Sequence, residues 1–170
     1  MKHILPILTI TTLAAAASAQ TAAASSGLSY NRVGVAYSDN LSGYGLTASA
    51  LVGNTNVLLS ASTTIGGGTA GNGNDRVSVG YVFKNVALGS DVIVSVGSDE
   101  TYGIAARKDL GSNVELALGY QRNQGVNLWG IELAYNITKQ YQVAVGYFDA
   151  SNGTINGKSN DTQIAVRYNF

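Results

Sequence analysis

The sequence predicts an all-β fold, an antiparallel transmembrane β-barrel of about ten strands that follows a cleaved signal peptide. From Leu28 to Phe170, apolar residues recur at every second position, which is the period of a β-strand. Aromatic residues collect at both ends of this apolar face, whereas the opposite face carries small and polar residues. A soluble barrel would place its large apolar residues inside, so this arrangement indicates an outer surface in contact with lipid.

The N-terminal segment has the features of an export signal. Residues 1–19 begin with a positive charge at Lys2, continue through an apolar stretch and end in small residues before a predicted cleavage site after Ala19. Residues 20–27 are small and polar without a period, and we expect a flexible leader there. Residues 28–170 are expected to form a single barrel domain.

Composition argues against several classes of function. Cleavage would remove Lys2 and His3, which leaves a mature chain without histidine or cysteine and with nearly balanced charges. Balanced charge gives no electrostatic basis for binding nucleic acid. The missing side chains are the usual general bases and activated nucleophiles, so we expect neither an enzyme nor a metal or cofactor site. No long apolar run follows the signal, and a spanning helix is therefore not expected.

Ten segments alternate in the manner of strands, with bounds uncertain by about 2–4 residues. They lie at 29–38, 43–52, 56–64, 75–84, 91–98, 101–109, 113–122, 127–136, 141–149 and 160–170. Short links alternate with longer ones, and both chain termini fall on the short-link side, which we expect to be the periplasm. An even number of strands is typical of single-chain bacterial barrels, and eight remain possible if the hairpin 43–64 does not span the membrane.

Aromatic residues are expected to form two girdles around an aliphatic band. One girdle lies on the side of the longer loops and contains Tyr37, Tyr44, Tyr102, Tyr120, Trp129 and Tyr147. The other lies on the side of the short links and contains Tyr81, Phe83, Tyr135, Tyr141 and Tyr168. Amphipathic rings favour the two headgroup levels of a membrane. An exported β-sandwich would also alternate, but it gives no reason for aromatic residues at both ends of one face.

The opposite face of the same strands is expected to line the lumen. It consists mainly of glycine, alanine and serine, which would leave space for water inside ten strands. Six charged residues lie on this face: Arg32, Arg76, Arg107, Glu115, Glu132 and Arg167. Because Arg107 and Glu115 are equidistant from position 111, we expect them to face each other across the turn at 110–112 and to form an ion pair.

The last eight residues, 163–170, resemble the C-terminal strand of bacterial outer-membrane proteins. The motifs Val-Gly-Tyr or Leu-Gly-Tyr at 79–81, 118–120 and 145–147 are similar to strands of the Gram-negative porin superfamily, alphaproteobacterial porins in particular. This resemblance implies an outer-membrane location, contact with lipid and lipopolysaccharide, and assembly by the barrel-assembly machinery with Phe170 as its signal. General porins have about sixteen strands, for which this chain has no room.

The leading functional expectation is a porin-like channel for passive diffusion of ions or small solutes. Arginines in the lumen and acidic residues at the outer loops predict weak anion selectivity. The alternative is a non-conducting structural or adhesive barrel of the OmpA/OmpX type, in which the charged residues would close the lumen. A secreted amyloid-forming protein would fit the glycine and asparagine content but neither the girdles nor the terminal Phe170.

Overall fold

A computed structural model describes residues 27–39, 43–65, 75–154 and 158–170, so the predicted signal peptide and most of the leader lie outside the described residues. Ten antiparallel strands make up the fold. They are β1 (Arg32–Ser38), β2 (Gly43–Leu51), β3 (Val57–Ile65), β4 (Arg76–Ala87), β5 (Ser90–Gly97), β6 (Thr101–Gly111), β7 (Val114–Asn123), β8 (Val126–Asn136), β9 (Tyr141–Ala150) and β10 (Asn160–Asn169).

The sheet closes because the first and last strands pair with each other. Each strand pairs with its neighbours in sequence, and β1 pairs with β10 from Arg32 opposite Asn169 to Ser38 opposite Gln163. The prediction of ten strands is thus confirmed, and the hairpin of β2 and β3 belongs to the barrel. Closure leaves no strand edge in the barrel with unpaired backbone groups. In the described residues, no helix is long and apolar enough to cross a membrane.

The two ends of the barrel differ in their connections. At the end that carries Phe170 and the start of β1, the links between strands are residues 52–56, 88–89, 112–113 and 137–140. We name this the turn end. At the opposite end, which we name the loop end, the links are residues 39–42, 66–75, 98–100, 124–125 and 151–159.

Alternate residues along each strand face outward and into the lumen. In β8, Ile131 and Leu133 are 42% and 48% exposed, whereas the intervening side chains point inward and Gly130 and Ala134 are buried. The same alternation occurs in the other strands, and it leaves large apolar side chains on the outer surface. A continuous apolar exterior of this kind marks a surface that contacts lipid or another apolar partner.

The predicted pairing of Arg107 directly opposite Glu115 is wrong. In the structure Arg107 lies opposite Ala117, and Asp109 lies opposite Glu115. The shift arises because the turn residues are Ser112 and Asn113, which both have positive φ (51° and 66°), and because a bulge follows Asp109. A two-residue turn of this backbone type is common in hairpins. The centre of the hairpin therefore lies one position later than the sequence predicts.

Two strand limits also differ from the prediction. β1 begins at Arg32 rather than at position 29, because residues 28–31 leave the sheet and turn into the lumen. β4 extends to Ala87, beyond a register irregularity that follows Phe83.

A charge on the outward face should destabilise the barrel according to its depth. Leu133 lies opposite Leu116 and Val145, midway along the apolar face, and Leu133→Arg should cost about 2–4 kcal/mol of unfolding free energy in a lipid environment. Ile137, on the same face just past the end of β8, is the matched control, and Ile137→Arg should cost about 0–1 kcal/mol. The urea midpoint and heat-modifiability on gels measure both effects. Equal midpoints for wild type and Leu133→Arg would contradict the lipid-facing assignment.

Candidate functional site: the lumen

Three adjoining cavities run inward from the loop end. The outermost has a volume of about 460 Å³ and is lined by polar residues such as Thr47, Arg76 and Gln163. Two inner cavities of about 270 Å³ each have Arg32 and Arg167 in their walls. Because Arg76 and Thr47 line both the outermost cavity and one inner cavity, the polar space is continuous to the level of Arg32.

Small inward residues create this space. One inner cavity is lined by Ser49, Ser60, Ser62 and Ser78, which all face the lumen from β2, β3 and β4. These side chains contribute hydroxyl groups and little volume, so the wall is polar and the interior remains open. This matches the expectation that serine, alanine and glycine leave room for water.

The prediction of a small and polar interior is nevertheless wrong at several positions. Large apolar side chains also lie on the inward face: Leu51, Leu58, Val82, Ile93, Leu128 and Phe148. Phe148 packs its ring flat over two glycines, since a Cβ at Gly146 would lie 2.8 Å from the ring and one at Gly130 would lie closer still. Those two glycines allow the ring to lie along the wall rather than across the lumen.

A continuous chain of polar side chains crosses the turn-end half of the lumen. Arg107 donates from Nε to Glu115 Oε1 at 2.6 Å, and Gln142 donates from Nε2 to Glu115 Oε2 at 3.1 Å. Arg167 donates to Gln142 Oε1 at 3.1 Å and binds both oxygens of Glu132, at 2.6 and 2.5 Å. We name this chain, formed by Arg107, Glu115, Gln142, Arg167 and Glu132, the lumen network. The expected ion pair is therefore present, within a larger arrangement.

The side chains of the lumen network are less exposed at the Arg107 end than at the Glu132 end. The side chains of Arg107 and Glu115 are each 4% exposed, whereas those of Arg167 and Glu132 are 12% and 18% exposed and reach the cavity. A bidentate arginine–carboxylate pair adds geometric specificity as well as energy. Sequence reasoning missed Gln142, which is 2% exposed and joins the two ion pairs. The sequence feature that could have identified Gln142 is its inward position in β9.

Arg32 and Arg76 differ from the arginines of the lumen network. Among the described residues, the salt bridges join Arg107 to Glu115 and Arg167 to Glu132, and neither Arg32 nor Arg76 takes part in one. Arg32 Nη1 is buried and has no hydrogen-bond partner in the described part of the chain. Arg32 therefore lies at the inner limit of the open space without a direct salt bridge, within electrostatic range of Glu115 and Glu132.

The turn end holds a residue that the sequence prediction did not single out, Tyr30. It is 5% exposed and clusters with Leu58 and Val82 inside the barrel. Its hydroxyl donates to Asp91 Oδ2 at 2.6 Å. Tyr30 precedes the inward-facing Arg32 by two positions, so alternation along this segment places it inward, and this was the signal that could have identified it.

The predicted girdle residues lie on the outer surface, each 40–55% exposed. Near the loop end, the rings of Tyr37 and Tyr44 are 5.6 Å apart. Near the turn end, those of Tyr141 and Tyr168 are 5.4 Å apart. Phe170 donates its backbone N–H to Asn31 O at 3.0 Å and stacks on Tyr168. The last residue thus ties the C-terminal strand to the segment that precedes β1.

The described residues contain no cluster of three or more histidine, cysteine, aspartate or glutamate side chains that could hold a metal ion. What the site offers chemically is a polar, partly cationic cavity that is open toward the loop end. No group of side chains in it resembles a nucleophile with an adjacent general base.

Removing one partner of the buried ion pair should destabilise the barrel strongly. Glu115→Ala leaves the Arg107 guanidinium buried without its carboxylate, and we expect a loss of about 3–5 kcal/mol in unfolding free energy. Glu132→Ala is the matched control, since water from the cavity can reach Arg167, and its cost should be clearly smaller. Urea midpoints of the refolded variants measure both losses. Equal losses would contradict the burial gradient in the lumen network.

Comparison with known proteins supports the fold. No protein-family model matches the sequence, and no curated protein matches it. Among solved structures, the KdgM porin is similar at 13% identity with a TM-score of 0.50, over 82% of this chain and 99% of that one. The NanC porin matches at 11% identity with a TM-score of 0.45, over 82% and 98%. The outer membrane protein Omp33 of Acinetobacter baumannii matches at 15% with a TM-score of 0.36, over 85% and 100%. At such identities, the likeness to the KdgM porin shows a common barrel fold.

Proposed function

We propose that this chain is a porin-like channel of the outer membrane of a Gram-negative bacterium, through which ions or small solutes diffuse passively. The observation that carries the proposal is the polar space that runs from the loop end to Arg32 inside a closed barrel, through the two cavities that share Thr47 and Arg76. A purely structural barrel has no need for serine-lined cavities. We propose no catalytic role, because the predicted mature chain lacks histidine and cysteine.

The outer surface supports the membrane location. Aliphatic side chains such as Ile104, Leu133 and Val145 are 48–50% exposed between the two sets of aromatic residues. Exposed to water, this surface would be a severe aggregation liability, whereas in a bilayer it matches the apolar core and the two headgroup levels. The partners that we propose are therefore outer-membrane lipid, lipopolysaccharide at the loop end and the barrel-assembly machinery during insertion.

One observation favours the alternative, a non-conducting structural or adhesive barrel. The polar space ends at the lumen network, and the residues around Tyr30 fill the rest of the turn end. A barrel whose interior is permanently closed in this way would act through its loops alone. Whether the turn end can open therefore decides between the two functions.

Planar-bilayer recording of the refolded protein tests the proposal. Discrete current steps in the wild type or in Tyr30→Ala, which removes the largest side chain of the buried apolar cluster at the turn end, would support a channel. Silence of both proteins at every applied potential, with heat-modifiable and therefore folded barrels, would favour the structural alternative.

The current should be weakly selective for anions because of the lumen arginines. Arg32 carries no counter-ion in a salt bridge, while acidic residues at the rim are screened over about 8 Å at physiological salt. Arg32→Ala combined with Arg167→Ala should shift the reversal potential in a salt gradient toward cations. Arg32→Lys keeps the charge and is the control. A cation preference in the wild type, or no shift in the double variant, would contradict this role for the arginines.

Loss of Phe170 should impair assembly more than the stability of assembled barrels. Its backbone N–H joins β10 to the segment before β1, at the seam where the barrel closes. Deletion of Phe170 should lower the amount of protein in the outer membrane and leave the urea midpoint of the recovered fraction nearly unchanged. Wild-type amounts of the deletion variant in that membrane would refute the proposed signal.

A further inference from the structure

We propose that residues 28–31 form a plug that closes the turn end of the lumen and that Tyr30 anchors this plug. Solutes pass when the segment moves out of the lumen. The inference rests on the proposed channel function and adds the device that regulates it. It assigns a role to a segment that has the alternating sequence of a strand and yet is not part of the sheet.

Apolar contacts hold the plug against one half of the barrel wall. Tyr30 clusters with Leu58 of β3 and with Val82 of β4, which is fully buried. Leu51, Ile93 and the plug residue Leu28 pack against the same cluster. The wall residues are inward positions of four consecutive strands, β2 to β5. These large side chains contrast with the small serines in the open cavity. This part of the wall can therefore pack against an aromatic ring.

Polar contacts fix the plug at two charged groups. The Tyr30 hydroxyl donates to Asp91, which is fully buried and also accepts from the backbone N–H of Asn85. The guanidinium of Arg107 lies over the Tyr30 ring, 4.6 Å from its centroid, and donates to Ser29 O at 3.0 Å. A tyrosine hydroxyl is a donor at physiological pH, and burial raises the pKa of Tyr30 further above its ordinary value.

The plug and the lumen network together close the cross-section. Residues of β2 to β6 contact the plug, and residues of β6 to β10 form the lumen network. Arg107 of β6 belongs to both sets. The side of the lumen that the network does not cross is therefore the side that residues 28–31 occupy.

The attachment of the plug permits its release. Residues 28–31 lie outside the strands, and side chains make many of the plug's contacts, among them Ser49 Oγ donating to Tyr30 O at 2.8 Å and Asn31 Oδ1 accepting from Leu51 N at 2.9 Å. Withdrawal of the segment would break these contacts and the backbone hydrogen bond from Phe170 N–H to Asn31 O, and it would leave all ten strand pairings intact. A segment of this kind can open locally at a lower free energy than the whole fold requires.

The first experiment compares single-channel currents of Tyr30→Phe and Tyr30→Ala with the wild type. Tyr30→Phe removes the hydroxyl that binds Asp91 and keeps the ring, so the open fraction should rise modestly. Tyr30→Ala also removes the ring, and the open fraction should rise by about tenfold or more, which corresponds to about 1.4 kcal/mol. Val35→Ala, an outward change on β1, is the matched control and should leave the current unchanged.

The second experiment measures the plug without relying on conduction. The sequence contains no cysteine, so single cysteines report local access to a water-soluble thiol reagent. Leu58→Cys lies under Tyr30, and its labelling should accelerate by about tenfold when Tyr30→Ala is added. Ser62→Cys, inward on the same strand but in the open cavity, is the control and should label at one rate in both backgrounds.

The outcomes separate the plug from the channel. Faster labelling of Leu58→Cys with silent bilayers would support the plug and refute the channel function. Equal currents in wild type and Tyr30→Ala, together with unchanged labelling, would refute the plug while leaving the channel in place. A general increase in labelling that includes Ser62→Cys would indicate a loosened barrel and would also refute a local plug.

Discussion

Closure of β1 onto β10 is the constraint on which the rest of the structure depends. In hydrocarbon an unpaired backbone N–H or C=O costs several kcal/mol, so a sheet in contact with lipid must have no edge. Ten strands meet this requirement here by pairing on both sides. Once the ring is closed, every residue must face either outward or inward. The lumen can then be built only from inward side chains and from chain that enters at the ends.

The inward side chains divide the lumen into two unlike halves. Toward the loop end, serines and glycines leave cavities, and Phe148 fits there because Gly130 and Gly146 allow its ring to lie along the wall. Toward the turn end, the buried charged groups of the lumen network require partners, which they find in each other and in Gln142. The same ring of strands thus encloses open cavities toward the loop end and tightly packed side chains toward the turn end.

Arg107 belongs to the lumen network and also contacts the proposed plug. It is paired with Glu115, it lies over the ring of Tyr30, and it donates to Ser29 O. A change at this one position would therefore disturb both the lumen network and the proposed plug. Arg32, by contrast, lies at the inner limit of the open cavities without a salt bridge in the described residues. Arg107 thus contacts the proposed plug, whereas Arg32 lines the open space.

The sequence by itself determined the strand count, the two faces and the presence of Arg107 and Glu115 inside, because a period of two assigns each residue to a face without reference to other strands. Tertiary structure decided which inward residues meet. Tyr30 and Asp91 are 61 positions apart and Arg167 and Glu132 are 35 apart, and only the stagger of the closed strands brings them to one level. Tertiary structure also decided that residues 28–31 leave the sheet, because Tyr30 then packs in an apolar cluster inside the barrel. Alternation along one segment does not reveal that cluster.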